Sequence, residues 1–137
     1  MRPAFIDSTV LLHAVGGDHP LRPGSRQYLD LATEGRVVLH ASVEAGQEFL
    51  FHRMRRVHTV DAVREFGVID RLVVWHPCDQ EILRRSVALA ASGTIGGRDA
   101  VHAATAIAAG FTEIVSADRD FDRVPGLVRR DPADLPA

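Results

Sequence analysis

The sequence predicts an α/β fold in a single domain over residues 1–137, built on a mainly parallel sheet of four to five strands. Short, continuously apolar segments alternate along the chain with longer segments of helical period. Apolar runs without polar alternation are typical of strands that are buried on both faces, as parallel strands are. A chain of this length can also bury a core without disulfides, and the lone Cys78 excludes an intrachain disulfide.

The strands are predicted from apolar and β-branched runs. They cover residues 3–6, 36–40, 72–75 and 113–116, with a shorter fifth at 127–129. Helical segments separate the first four strands, which is the arrangement of parallel strands joined by crossovers. We therefore expect the carboxyl ends of these strands to lie on a common edge, where α/β proteins bind their ligands.

The helices are predicted from apolar periodicity and from capping residues. They cover residues 9–15, 23–33, 42–56, 59–69, 79–91 and 99–109. Ser42, Thr59 and Asp79 can each cap the helix that they begin. The glycine-rich residues 93–97 are predicted to form a loop, since glycine favours turns over helix interiors.

Composition excludes several classes of function. The chain is 46% hydrophobic and 25% charged, as in soluble globular proteins, and no apolar run approaches the ~20 residues of a membrane span. Asp7 comes too early for a signal peptide, so we expect a cytoplasmic protein without a membrane partner. All 16 basic residues are arginine, which counts against P-loop enzymes, receiver domains and haloacid-dehalogenase-like phosphatases, because each relies on a lysine.

Acidic residues lie near the carboxyl ends of the predicted strands. Asp7 follows the first strand, Asp118 lies just past the fourth, Asp99 begins the helix that leads into the fourth, and Glu48 lies on the helix after the second. Each acid alone could be a helix cap or turn residue. Several carboxylates at one edge would repel one another unless a cation lies among them or their pKa values are raised. Oxygen ligands without a Cys or His cluster favour Mg²⁺ or Mn²⁺ over zinc.

Glu44 and Glu48 lie one turn apart on the same helix face. The helix dipole explains an acid in the first turn, where Glu44 lies, but not one in the second turn among apolar neighbours. Glu48 is therefore the predicted site residue. Arg98, beside Asp99, is either a phosphate contact or an ion-pair partner, and His102 is interpreted as a hydrogen-bonded packing residue.

Four segments resemble the motifs of the PIN-domain family, in the family's order. The first is residues 5–11, in which a strand ends at Asp7, and the second is Ser42 with Glu48. The third is residues 96–104, with Asp99 at a helix start, and the fourth is residues 116–121 followed by 125–127. The motifs cover nearly the whole chain. Among PIN proteins, the small size resembles the VapC toxins of bacterial VapBC toxin–antitoxin pairs. Ser8 and Thr9 stand where the family usually has Thr and Asn.

The resemblance implies an α/β/α sandwich with Mg²⁺- or Mn²⁺-dependent endoribonuclease activity, in which water activated by the cation hydrolyses RNA. By this resemblance the catalytic acids are Asp7, Glu48, Asp99 and Asp118, and Asp7, Asp99 and Asp118 would be metal ligands. Asp120 is an alternative to Asp118. Ser116 occupies the family position of a hydroxyl that can orient the water.

The resemblance also implies partners: an RNA substrate, a VapB-like antitoxin and a second copy of the chain in a homodimer. Arg53, Arg55 and Arg56 belong to a basic run over residues 52–58, which is either a solvated helix end or a contact surface for the RNA backbone.

Two alternatives stay open. A catalytically silent PIN-like module that binds RNA or another protein is favoured by an incomplete acidic set, whereas all four acidic positions are filled here. A PIN nuclease that acts on DNA or in RNA processing without an antitoxin would lack a small neighbouring gene for a DNA-binding protein.

Overall fold

The computed structural model describes residues 2–134, which form strands and helices in alternation. The strands are β1 (Arg2–Phe5), β2 (Val37–Ser42), β3 (Val73–His76), β4 (Glu113–Val115) and β5 (Val128–Arg130). The helices are α1 (Ser8–Val15), α2 (Arg22–Thr33), α3 (Val43–Met54), α4 (Thr59–Leu72), α5 (Gln80–Ala91) and α6 (Gly97–Ala108), and Arg119–Arg123 form a 3₁₀ helix. The predicted α/β fold is confirmed.

The strands pair in parallel throughout the described residues. β1 pairs with β2, β2 pairs with β3, and β4 pairs with β5. A parallel bridge between Ile6 and Val115 joins the two groups, so the spatial order is β3-β2-β1-β4-β5. The first strand of the sequence is therefore the central one, and the residues that follow β1, β2 and β4 meet at one edge.

Two apolar clusters cover the two faces of the sheet. Adjacent residues of a strand point to opposite faces, and Phe5 and Ile6 accordingly belong to different clusters. Ile6 packs with residues of α1 to α4, including the fully buried Phe49. Phe5 packs with the small residues of α6 and with Phe121 of the 3₁₀ helix. This layering gives the predicted helix–sheet–helix sandwich.

The structure differs from several predicted boundaries by one to three residues. β2 extends to Ser42, and His58, not the predicted Thr59, occupies the cap position of α4. α6 begins at Gly97, so that Asp99 lies in its first turn, and Leu72 ends α4 and does not begin β3. The 3₁₀ helix at Arg119–Arg123 was not predicted; it forms because the Asp118 side chain accepts a hydrogen bond from the Asp120 amide. None of the helices within residues 2–134 is long and apolar enough to cross a membrane.

Candidate active site

The carboxyl edge of the sheet gathers the acidic residues because three strands end there. Asp7 follows β1 and immediately precedes α1, and Asp118 follows β4. Asp99 lies in the first turn of α6, and Glu48 lies in the second turn of α3, which begins where β2 ends. Asp7 and Asp118 are thus placed by the ends of strands, whereas Glu48 and Asp99 are placed by the first two turns of α3 and α6.

Asp7 is the most buried acid of the group, with 2% of its surface exposed. It occupies the cap position of α1, yet its side chain accepts no capping hydrogen bond from the helix. Its carboxylate instead accepts hydrogen bonds from the hydroxyls of Thr9 (2.9 Å), Ser116 (2.9 Å) and Ser8 (3.3 Å). The Asp7 side chain therefore does not cap the backbone of α1, and neighbouring hydroxyls fix the direction of both its oxygens.

Ser116 connects two of the acidic segments. Its hydroxyl donates to Asp7 Oδ2 at 2.9 Å and accepts a hydrogen bond from the Asp118 amide at 3.0 Å. Ser116 itself is fully buried. The hydroxyl therefore holds the loop after β4 against the residue that ends β1.

Glu48 is held by a buried histidine. Oε1 of Glu48 lies 2.6 Å from Nε2 of His102, whereas Oε2 receives only a long hydrogen bond of 3.5 Å from Ser8. Burial acts to raise the pKa of Glu48, but the hydrogen bond and charge of His102, helped by Arg98, outweigh burial and lower it. Glu48 is thus a carboxylate with one engaged oxygen and one weakly engaged oxygen.

His102 connects α6 to both α3 and the end of β2. Its Nδ1 lies 2.7 Å from the Ser42 hydroxyl, which also caps α3 by accepting from the Ala45 amide. Burial acts to lower the pKa of His102, but the hydrogen bond to Glu48 and the charges of Asp7 and Glu48 raise it. His102 therefore offsets acidic charge on the inner side of the site.

The remaining acids lie nearer the surface and close to one another. Carboxylate oxygens of Asp99, Asp118 and Asp120 lie within 4.8 Å of one another, and so do ligand atoms of Asp7, Asp99 and His102. Burial, the charge of Asp7 and the hydrogen bond and charge of Asp118 raise the pKa of Asp99 to about 7. Asp99 belongs to both groups, and its carboxylate is repelled by those of Asp7 and Asp118.

The donor set fits a hard divalent cation. The outer group consists of carboxylates only, and such oxygen ligands favour Mg²⁺ or Mn²⁺ over the softer metals. Burial is the main cause of the raised pKa of Asp99, and a cation among these carboxylates would relieve the repulsion that adds to it.

Comparison with known proteins agrees with this arrangement. The PIN domain family matches residues 4–127. Ribonuclease VapC13 of Mycobacterium tuberculosis is 30% identical over 130 residues, which cover 91% of this chain and 97% of that protein. Ribonuclease VapC7 of the same organism is 31% identical over 130 residues, covering 90% and 87%. The chain belongs to the VapC group of the PIN-domain family.

Solved structures show the same fold at lower identity. The structure of VapBC2 from Rickettsia felis bound to a promoter DNA fragment matches with a TM-score of 0.72 and 16% identity, covering 94% of this chain and 98% of that chain. DNA-bound VapBC from Salmonella typhimurium matches with a TM-score of 0.67 and 19% identity, covering 96% and 99%. The fold of this VapC-family chain is thus shared across distant relatives.

The VapC-family chain brings the predicted acids to one edge but divides them into two environments. Asp7, Asp99 and Asp118 lie in the groups with closely spaced ligand atoms, and Asp120 lies beside Asp118 in the outer group. Glu48 lies in neither group, and His102 engages one of its oxygens. Glu44, one turn earlier on α3, forms an ion pair with Arg98 at 3.4 Å.

Two contributors to the site differ from the sequence interpretation. His102 was interpreted as a packing residue, and it is fully buried, but its hydrogen bonds go to Ser42 and Glu48 within the site. Its position one turn after Asp99 is the signal that could have indicated this role. Thr9, which replaces the family's Asn, keeps a hydrogen bond to Asp7 through its hydroxyl.

The three arginines of the basic run have different environments. Arg53 forms two hydrogen bonds with Glu65 of α4, at 2.9 and 3.0 Å, and 13% of its side chain is exposed. The guanidinium of Arg55 lies over the Phe51 ring, 5.6 Å from its centroid. Arg56 lines a cleft beside the site. Arg53 therefore joins α3 to α4, and an RNA contact of these three arginines stays a prediction.

Proposed function

We propose that this chain is a Mg²⁺- or Mn²⁺-dependent endoribonuclease that serves as the toxin of a toxin–antitoxin pair. The observation that carries the proposal is the group of carboxylates at the carboxyl edge, centred on Asp99 and backed by the fixed carboxylate of Asp7. Relatives that share about 30% identity over nearly their whole length are named ribonucleases.

Asp7, Asp99 and Asp118 would hold the cation, with Asp120 as the alternative to Asp118. A bound divalent cation would activate water and offset negative charge on a phosphodiester. The hydroxyls of Thr9 and Ser116 orient Asp7, and the latter also positions the Asp118 loop. The protein's own contribution is therefore to place carboxylates in fixed directions around a phosphodiester.

Glu48 is the proposed acceptor of a proton from the attacking water. Its lowered pKa keeps it ionised, and His102 occupies Oε1, so Oε2 is the oxygen that can accept the proton. In the hydrolysis, the water oxygen forms a bond to phosphorus, one P–O bond of the RNA backbone breaks, and the departing oxygen takes up a proton. Arg98, 3.9 Å from Glu48 and 57% exposed, can contact a phosphate at the rim.

A VapB-like antitoxin and a second copy of the chain are the proposed protein partners. Support for the antitoxin comes from the similar structures, which are described as VapBC complexes. Co-expression with the product of a small neighbouring gene, followed by co-purification and sizing, tests both partners. A monomer that captures no such product would contradict this part of the proposal.

The activity is tested with purified protein free of antitoxin, total RNA, and Mg²⁺ or Mn²⁺. Discrete cleavage is expected, and Asp7→Asn or EDTA should abolish it. Asp30→Asn is the matched control, because Asp30 lies on α2 in an exposed ion pair with Arg26. Folded wild-type protein that cleaves no RNA with any tested metal would favour a silent binding module, and cleavage that survives Asp7→Asn would contradict the assigned site.

A further inference from the structure

A cleft of about 580 Å³ lies beside the acidic cluster, between the carboxyl-terminal ends of α1 and α3. Its lining includes three histidines and two arginines, together with the apolar Leu12 and Val57 and the turn after α1: His13, His19, His52, Arg53 and Arg56. We name this feature the histidine cleft. None of the acids assigned to the active site lines it, so the proposed catalytic mechanism does not explain its composition.

The two helices connect the histidine cleft to the active site. α1 begins directly after Asp7, and His13 lies six residues further on, ~9 Å along the helix axis. On α3, His52 lies one turn beyond Glu48, ~6 Å along that axis. The charge of Asp7 acts on His13, and that of His52 acts on Glu48. A strand of RNA with one phosphodiester at the acids can therefore extend into the cleft.

His19 presents a ring whose orientation is fixed. Its imidazole stacks on His13 with ring centroids 4.1 Å apart and an interplanar angle of 21°. The backbone N–H of Leu21 donates to Nδ1 of His19 at 3.1 Å, so Nδ1 carries no proton and Nε2 is left as a donor. His19 is exposed, and an exposed aromatic ring held in place is suited to stacking against a nucleobase.

Arg56 supplies a cationic group on the opposite wall. It lies beyond the end of α3, and no carboxylate among residues 2–134 is within ion-pair distance of it, unlike Arg53 with Glu65. A guanidinium that is not already paired can donate two parallel hydrogen bonds to a phosphate. Asp18 also lines the cleft, and its charge opposes phosphate binding.

We propose that the histidine cleft binds a nucleotide of single-stranded RNA next to the cleaved phosphodiester, with the base against His19 and a phosphate at Arg56. This inference rests on the proposed ribonuclease function. The lining favours RNA over a segment of a protein partner. Three imidazoles and two guanidinium groups outnumber the two apolar side chains, Leu12 and Val57, whereas helix-binding grooves of proteins are mainly apolar. The cleft would extend the contact with the substrate beyond the catalytic acids.

The test measures binding of a fluorescent, mixed-sequence single-stranded oligoribonucleotide to Asp99→Asn protein, which should not cleave it. Adding Arg56→Ala should weaken binding and reduce the slope of log affinity against log salt by about one. Adding His19→Ala should weaken binding about 5-fold or more without changing that slope, and His19→Phe should restore it. Asp18→Asn should strengthen binding, and Arg84→Ala, an exposed arginine of α5, is the matched control.

The outcomes separate this inference from the proposed function. Wild-type cleavage of RNA, combined with equal oligoribonucleotide binding by the Arg56→Ala, His19→Ala and Arg84→Ala variants, would overturn the cleft proposal and leave the ribonuclease intact. Protein that neither cleaves nor binds RNA would overturn both. If the cleft substitutions weaken only the capture of a co-expressed antitoxin, the cleft belongs to the protein partner and the proposal is wrong. Equal thermal melting of all variants establishes that folding is unchanged.

Discussion

The acidic cluster has an inner half, Asp7 and Glu48, and an outer half, Asp99, Asp118 and Asp120. The two halves differ in how their closely spaced negative charges are stabilised. In the inner half, Asp7 and Glu48 are buried or nearly so, and each is surrounded by hydroxyls or by His102. In the outer half, Asp99, Asp118 and Asp120 are more exposed and face one another. The pKa of Glu48 is lowered, whereas that of Asp99 is raised to about 7.

The difference shows where a ligand is needed. Carboxylates that already receive hydrogen bonds are stable as anions, while carboxylates that face one another need a proton or a cation between them. Asp7 and Glu48 in the inner half therefore have fixed hydrogen-bond partners before any ligand binds, whereas a cation would relieve the mutual repulsion of the outer carboxylates. Substitutions of single side chains in the inner half and in the outer half test this difference.

A large loss of activity, like that expected of Asp7→Asn, is expected from Asp99→Asn. It should lower kcat/KM for RNA cleavage by more than about 100-fold, because even residues that only support metal ligands are worth about 10- to 100-fold. Steady-state cleavage of a mapped RNA site measures the loss, with Asp30→Asn as control. The same assay on Asp118→Asn and Asp120→Asn decides which of the two aspartates is the cation ligand. Retention of near wild-type activity by Asp99→Asn would show that the outer half is not the reactive half.

A large loss of stability is expected from His102→Ala. The change leaves Glu48 and Ser42 without their buried partner and should cost about 3 kcal/mol of the free energy of unfolding, measured by urea denaturation. His102→Gln, which can still donate a hydrogen bond, should recover part of the lost free energy of unfolding. The Gln variant should also lower kcat more than it changes KM, since Glu48 is displaced. Wild-type stability for His102→Ala would contradict a supporting role for the inner half.

Stability without divalent cations should fall as the pH rises from 5 to 8. The folded pKa of Asp99, about 7, exceeds its unfolded value of 3.8, so the folded state holds the extra proton at pH 5 and loses this advantage by pH 8. The raised pKa of His102 acts in the same direction. Asp99 is only half-buried, and with screening we expect about 2 kcal/mol from it.

Thermal melting in EDTA across this pH range measures the effect. Asp99→Asn should flatten the dependence, and Mg²⁺ should raise the melting temperature more at pH 8 than at pH 5. A melting temperature in EDTA that rises toward pH 8 would have the opposite sign to this expectation.

The smallest effect is expected from Glu44→Gln. Its partner Arg98 is 57% exposed, and such surface ion pairs contribute little, so the free energy of unfolding should change by less than about 0.5 kcal/mol. Glu48→Gln in the same helix should cost clearly more, since it weakens the buried contact with His102. Parallel urea titrations compare the two variants, and equal losses would remove the distinction between the two acids.

Much of this arrangement could be predicted from the sequence because it depends on local pattern. Apolar runs followed by acids place Asp7 and Asp118 at strand ends, and the helix dipole separates Glu44 from Glu48. These arguments need only the neighbours along the chain. The parallel order of the sheet and its ligand-binding edge then follow from general rules of α/β folds.

The rest depends on contacts between distant elements. The partner of His102 lies on α3 and that of Arg53 on α4, and neither pairing is marked by spacing along the sequence. The 3₁₀ helix brings Asp120 beside Asp118, so local pattern could not choose between them. The histidine cleft likewise requires the packing of α1 on α3.

The central position of β1 has a consequence for synthesis. The hydrogen bond from Ser116 to Asp7 joins residues 109 positions apart, and the bridge between Ile6 and Val115 spans a similar length of chain. Contacts of such long separation form late in folding. A growing chain on the ribosome contains every helix from α1 to α6 before β4 and Asp118 exist, so no acidic site can assemble until Asp118 has been synthesised.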